Sequence, residues 1–262
     1  MSIRSWVRPD LRHLPEPERD PRQRRLLWIE VGLVVFITLG IQGLFSVLTF
    51  AEAWLDPRPI AEQTVALNVT RSDSAIIDFA RNALLVVRLL AWAGLAGFLL
   101  WRTGAARWLS AQVRLRRTDI VAGLILAGVI GLPGLGLYAI GRTLGITLEV
   151  VPSALQDSWW QVPMLVASAV ANSAAEEIIV VVYLLIRLRQ LGISPNAALA
   201  VSAFIRGSYH LYQGIGAFGG NIVMGIVFAR YFQKIGRVWP LLVAHAVIDI
   251  VAFVGYSLVV TR

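Results

Sequence analysis

The sequence predicts an all-α protein, a polytopic transmembrane helical bundle, and two observations support this fold class. Of the 262 residues, 57% are hydrophobic and only 15% are charged. This is more apolar side chain than a soluble core of this size can bury. The apolar residues also fall into runs of roughly 20, the length that crosses a bilayer, with arginines grouped in short blocks between them.

We predict about seven spans from these apolar runs. The fifth and sixth are short and contain glycine, so either could be re-entrant rather than crossing. The seven predicted spans are Leu26–Phe50, Ile76–Trp101, Ile120–Leu144, Trp159–Ile186, Ala197–Tyr212, Ile215–Phe232 and Val238–Val260.

The basic residues predict the topology. With these spans all four basic blocks fall on one side, which the positive-inside rule assigns to the cytoplasm. We therefore expect a multi-pass protein of the inner (plasma) membrane with a cytoplasmic amino terminus and the lipid bilayer as its surroundings. The formal charge of +8 then belongs to loops, and no nucleic-acid partner is expected. The blocks are Arg22/Arg24/Arg25, Arg102/Arg107/Arg114/Arg116/Arg117, Arg187/Arg189 and Arg230/Lys234/Arg237.

Two further features of the composition limit the kinds of active site that are possible and indicate the type of organism. The chain has no cysteine, which excludes disulfides, thiolate nucleophiles and cysteine metal sites. Lys234 is the only lysine, and this near-exclusive use of arginine is typical of a GC-rich bacterial genome.

Ionisable side chains lie inside three of the later apolar segments. They are Glu176 with Glu177, then His210, and then His245 with Asp249. A charge at membrane depth costs several kcal/mol unless it is paired or hydrated, so such groups usually mark a functional site. We predict that the last four spans form an intramembrane polar cavity. Each group also has a plainer interpretation, as a hydrogen bond between helices or a structural ion pair.

Helical spacing indicates which of these groups act together. Adjacent residues on a helix point about 100° apart, so we expect Glu177 to point away from Glu176 and to matter less. Asn172 lies one turn before Glu176 and could orient it. His245 and Asp249 are four residues apart and therefore share a helix face. Arg206 likewise lies one turn before His210.

The order of these elements resembles the CPBP family of intramembrane endopeptidases, which includes the C-a-a-X prenyl-protein endoprotease and bacteriocin-immunity (Abi-like) proteins. A double glutamate, then a histidine, then His-x-x-x-Asp follow one another on successive segments, and the run Ile235–His245 is similar to the family's approach to its last motif. The resemblance covers about Pro163 to Phe253. We divide the chain into a cytoplasmic basic tail (1–25), amino-terminal transmembrane helices (26–157) and a CPBP-like catalytic transmembrane domain (158–262).

The chain departs from the family pattern at two motifs. The family's Glu-Glu-x-x-x-Arg, usually followed by glycine, here ends in Val181 and Val182, and the usual phenylalanine four residues before the motif histidine is Arg206. One motif has lost an arginine and the next has gained one. We hypothesise that the cation has moved, so that Arg206 reaches back to Glu177 or Glu176. Arg206 could instead extend toward a membrane interface.

The resemblance implies hydrolysis of a peptide bond in a membrane-associated protein or peptide. Glu176 would be the general base, sharing a water with His210, while His245 and Asp249 would face the oxyanion or help hold the water. An ionised Asp249 cannot donate a hydrogen bond, so it would be protonated or would orient His245. Glu176, His210 and His245 could also hold a catalytic zinc, which would make the enzyme a metalloprotease.

Two other functions and one geometric objection stand beside this interpretation. The protein could be an inactive family member that acts as a membrane scaffold or immunity protein, or a transporter in which the polar groups relay ions. The objection concerns depth. If the fifth and seventh predicted spans start at a common inner plane, His210 lies about 20 Å above that plane and His245 only about 10 Å above it. The two histidines would then not meet unless the fifth helix is tilted or bends, for example at Gly207.

Overall fold

The computed structural model describes residues 9, 14–105, 114–151, 153, 155 and 158–255, and this part of the chain forms a bundle of seven helices. The predicted fold class is confirmed. Helical backbones satisfy their own hydrogen bonds, which lipid cannot do for them. The helices are α1 Pro21–Leu55, α2 Ala75–Arg102, α3 Arg117–Thr143, α4 Gln161–Gln190, α5 Pro195–Ser208, α6 Ile215–Ile235 and α7 Trp239–Gly255.

Five of these helices, α1, α2, α3, α4 and α6, are long and apolar enough to cross a membrane. The fifth predicted span is shorter than expected, because α5 has 14 residues and ends at Ser208. At 1.5 Å per residue it measures about 21 Å, less than the hydrocarbon thickness of about 30 Å. The seventh predicted span is helical as far as Gly255, and its predicted end at Val260 lies outside the described residues.

Helix α4 lies at the centre of the bundle. Its residues Glu177–Tyr183 wind as a π-helix, and Val181 within this stretch has no exposed surface. A π-helical turn shifts the backbone hydrogen-bond pattern and is often found at functional sites. Ser202 of α5 donates a hydrogen bond of 2.7 Å to the Val180 carbonyl in this stretch. This hydrogen bond therefore links α5 to α4 at the π-helical stretch.

A buried ion pair joins the amino-terminal helices to α4. Arg187 has no exposed surface, and one of its guanidinium nitrogens lies 2.8 Å from Glu30 of α1. The same guanidinium donates to the Leu99 carbonyl of α2 at 2.9 Å, and Tyr183 donates to Glu30 at 3.0 Å. Arg187 lies in the last turn of α4, in one of the predicted basic blocks, and its side chain is a buried link between three helices.

The two ends of the bundle carry different loops. At one end, β1 (Thr64–Ala66) and β2 (Glu149–Val151) pair in parallel, so the α1–α2 and α3–α4 connections lie together. At the opposite end Arg24 donates to the Leu191 carbonyl at 3.1 Å, and Arg237 pairs with Asp119. The described basic blocks thus share one end, as predicted, whereas Arg107 lies outside the described residues.

Candidate active site

Three helices and one turn bring the predicted polar residues together. Helix α4 carries the two glutamates where its π-helical stretch begins, and α7 carries His245 and Asp249 one turn apart. Helix α5 carries Arg206 in its last turn, and His210 lies in the turn that leads from α5 to α6.

Glu176 is the residue on which the cluster converges. Its Oε2 accepts a hydrogen bond from the Tyr209 hydroxyl at 2.7 Å. The same oxygen lies 3.6 Å from Nε2 of His210 and 3.9 Å from Nε2 of His245. The Glu176 side chain is 11% exposed, so it is buried but accessible at the edge of the cluster.

Glu177 belongs to the same cluster, and the expectation that it points elsewhere is wrong. Its Oε1 lies 2.5 Å from the Arg206 guanidinium and 2.7 Å from Nδ1 of His245. The two carboxylates diverge along the helix surface, but they reach the same pair of partners from two sides. They differ in access, since the Glu177 side chain has no exposed surface.

Arg206 lies between the two glutamates, fully buried. One terminal nitrogen lies 3.4 Å from Glu176 and the other 2.5 Å from Glu177, while the guanidinium carbon sits 5.6 Å from the centre of the Phe228 ring. The contact that the relocated-cation hypothesis required is therefore present. Arg206 does not extend to an interface.

His245 and His210 meet at Glu176, so the depth objection does not hold. The objection assumed that α5 and α7 start at the same depth and run parallel. Because both histidines lie within 4 Å of Glu176, that assumption is wrong. Helix α5 does not bend at Gly207 but is continuous through it. Glycine at this position allows α6 to pack closely, because a Cβ there would lie only 2.7 Å from the Ile222 side chain. On α7, Nε2 of His245 lies 3.6 Å from Asp249.

The turn that carries His210 is held by the amino-terminal half of the chain. Ser46 of α1 accepts a hydrogen bond of 2.7 Å from the Tyr212 backbone N–H. Gly214 has a φ of 107°, a conformation that favours glycine, and pairs with Thr147 in an isolated β-bridge. The His210 turn is therefore fixed from both α1 and the loop before β2.

Sequence reasoning missed Tyr209 and overstated Asn172. Tyr209 is buried beside His210, and a hydroxyl inside an apolar segment needs a partner, which was the available signal. Among the described residues, Asn172 makes no hydrogen bond with Glu176. Ser46 and Thr147 had no signal in the sequence, because their contacts join segments more than 60 residues apart.

The donors present do not fit a zinc ion. Oε2 of Glu176 already accepts from Tyr209 and lies 3.4 Å from the Arg206 guanidinium, so a metal bound there would face a buried positive charge. Within the described residues, no group of three His, Cys, Asp or Glu side chains is arranged to hold a metal. We therefore derive no step through a metal.

Part of the chain matches a known protein family. Residues 158–251 match the family model described as type II CAAX prenyl endopeptidase Rce1-like. This match agrees with the CPBP resemblance that the sequence motifs indicate. No curated protein and no solved structure matches the chain. The Rce1-like segment contains both glutamates, Arg206, both histidines and Asp249, and its family supports a CAAX-type intramembrane protease role in general terms.

Proposed function

We propose that this protein is an intramembrane endopeptidase in which Glu176 is the general base. The observation that carries the proposal is the approach of Glu176 Oε2 to His210 Nε2, at 3.6 Å. That His210 nitrogen is buried and has no hydrogen-bond partner among the described residues. A buried polar atom of this kind needs a partner, and a water held by both side chains would supply it.

The neighbouring groups would hold the base in place. Tyr209 and Arg206 both contact Oε2 of Glu176, so its carboxylate has little freedom to rotate. A fixed base can remove a proton from the shared water as that water attacks a peptide carbonyl. The proton taken up by Glu176 would then pass through His210 to the departing amine nitrogen as the C–N bond breaks, which regenerates the base.

His245 would stabilise the oxyanion, and Asp249 would orient His245. Nδ1 of His245 is occupied by Glu177, while Nε2 faces Glu176 and Asp249 at 3.9 Å and 3.6 Å. As an imidazolium, His245 would donate from Nδ1 to Glu177 and keep a second proton on Nε2, which could donate to a carbonyl oxygen in the space beside the base. Preorganised donors in such water-poor sites contribute several kcal/mol to rate enhancement.

The substrate class follows from the position of the site. Glu176 lies 15 residues from one end of α4 and 14 from the other, near the middle of a 30-residue span. A substrate must bring its peptide bond to that depth, as a membrane-associated protein or peptide does. The proposed setting is the plasma membrane of a bacterium, with the amino terminus in the cytoplasm.

The inactive-scaffold alternative rests on the arginine missing at Val181. The missing arginine is weaker support for an inactive protein than the sequence indicated, because Arg206 supplies a guanidinium to the same glutamates. The transporter alternative has no observation that favours it.

The proposal is tested by mapping new peptide termini. Purified parent, Glu176→Gln, His210→Ala and Glu52→Gln proteins are reconstituted with detergent-extracted bacterial membrane proteins, and new amino termini are identified by mass spectrometry. Glu52 is exposed near the end of α1, so Glu52→Gln is a matched control that should cleave like the parent. The same termini from Glu176→Gln would refute the assignment, and none from the parent would favour the scaffold.

A further inference from the structure

Arg88 is an exposed cation within a transmembrane helix. It lies 13 residues from the start of the 28-residue helix α2, and its side chain is exposed on the outside of the bundle. Apart from Arg88 itself, the apolar run of α2 extends from Ala83 to Trp101, which places Arg88 about 8 Å inside that run. A charge at such a depth is costly and marks a functional site unless it finds a partner.

Arg88 has no acidic partner among the described residues. Its guanidinium makes a cation–π contact with Trp92, whose ring centre lies 5.1 Å from the guanidinium carbon. A lipid-exposed arginine often extends to the nearer interface, which here is at the amino-terminal end of α2. Trp92 lies one turn in the opposite direction, so the guanidinium is held inside the apolar zone.

The surface around Arg88 is uncovered. Leu84, Ala91 and Leu95 lie next to Arg88 on the helix surface at spacings of four, three and seven residues, and all three are exposed. We call these four residues the Arg88 face. Its combination of one cation and apolar neighbours complements a transmembrane helix that carries one carboxylate.

A second copy of this chain does not supply that carboxylate. In the described helices the only exposed acidic side chain is Glu52, which lies three residues before the end of α1 rather than at the depth of Arg88. The other helical carboxylates are buried or partly buried inside the bundle. Two copies that met at the Arg88 face would also bring like charges together.

We infer that the Arg88 face docks a transmembrane segment of another protein that bears an aspartate or glutamate at matching depth. The ion pair replaces the lipid around both charged groups, and neither charge then remains unpaired in hydrocarbon. Polar interactions between transmembrane helices have measured strengths that correspond to about threefold to thirtyfold in affinity. The docking does not depend on the proposed protease activity.

The test uses synthetic leucine-rich transmembrane peptides with a single central Glu or Gln. The acceptor-labelled peptides are mixed in phosphatidylcholine vesicles with donor-labelled parent, Arg88→Leu or Arg102→Leu protein, and binding is measured by energy transfer. Arg102, exposed at the end of the same helix, provides the matched control. We expect the parent and Arg102→Leu to prefer the Glu peptide by about threefold to thirtyfold, and Arg88→Leu to show no preference.

Three results would overturn the inference. The parent could bind the Glu and Gln peptides equally, which would show that no ion pair forms. The preference could persist in Arg88→Leu, which would locate the binding elsewhere. Finally, 30 mol% phosphatidylglycerol, roughly the order of an anionic bacterial membrane, could abolish the preference, which would show that Arg88 pairs with lipid headgroups.

Discussion

Arg206 and Glu177 form a fully buried ion pair, with 2.5 Å between a guanidinium nitrogen and a carboxylate oxygen. The pair joins α5 to the point where α4 becomes π-helical, and neither side chain has exposed surface. A second guanidinium nitrogen reaches Glu176, so the pair also supports the proposed base. In the family that this chain resembles, an arginine follows the two glutamates on the same segment, whereas here the guanidinium that contacts both glutamates lies on α5.

Removing the cation should destabilise the protein. Arg206→Met keeps most of the volume but leaves Glu177 without its buried counter-charge, and breaking such a pair costs about 3–5 kcal/mol. We expect a corresponding fall in the free energy of unfolding, measured by denaturant titration in detergent micelles. Arg102→Met, at an exposed position, should change it little.

The double variant Arg206→Met/Glu177→Gln distinguishes the stability lost through the broken ion pair from the stability lost through altered side-chain packing. Removing both charges should recover part of the lost stability, because Glu177 then no longer carries a buried charge without its partner. Additive losses in the double variant would show that the two residues are not energetically coupled.

A second prediction concerns the relocation of the arginine. Arg206→Phe restores the family's usual residue at that position but removes the charge, so we expect low proteolytic activity. Adding Val181→Arg returns a cation to α4, four residues beyond Glu177, and should recover much of the activity. The measurement is the yield of new peptide termini. A double variant no more active than Arg206→Phe would argue against the relocation.

The sequence predicted that Glu176, His210 and His245 meet, but it did not predict that Tyr209 and Glu177 contact the same groups. Apolar runs predicted all seven helices, and the cost of intramembrane charge identified Glu176, His210 and His245. The role of Glu177 was misjudged because side-chain directions on one helix do not show where partners on other helices lie. The burial of Arg187 could not be predicted for a related reason: its partner Glu30 lies 157 residues away, and their contact depends on tertiary packing.

The His210 turn provides a third prediction. Ser46→Ala removes the acceptor for the Tyr212 N–H, and an unsatisfied buried donor costs about 1–3 kcal/mol. The larger effect should be on catalysis, with kcat reduced about tenfold or more, because small misplacements of catalytic groups are costly. Thr38→Ala in the same helix is the control, since among the described residues the Thr38 hydroxyl bonds only to its own helix backbone. Equal reductions in kcat from both variants would contradict a positioning role for Ser46.

The last prediction concerns the orientation of the bundle. The described basic blocks lie at one end, and the positive-inside rule assigns that end to the cytoplasm. Because the natural chain has no cysteine, single cysteines can be introduced without a background signal. Arg187 is unsuitable as a probe, since its side chain is fully buried, whereas Arg102 and Pro57 are exposed at opposite ends.

Arg102→Cys should react with a membrane-impermeant maleimide only after the cells are permeabilised, and Pro57→Cys should react in intact cells. Lys234→Cys, near the end of α6, provides an independent probe on the cytoplasmic side and should behave like Arg102→Cys. The reverse pattern would place the basic blocks outside and overturn the orientation. It would leave the ion pairs of the active-site cluster as they are, because their geometry does not depend on which end faces the cytoplasm.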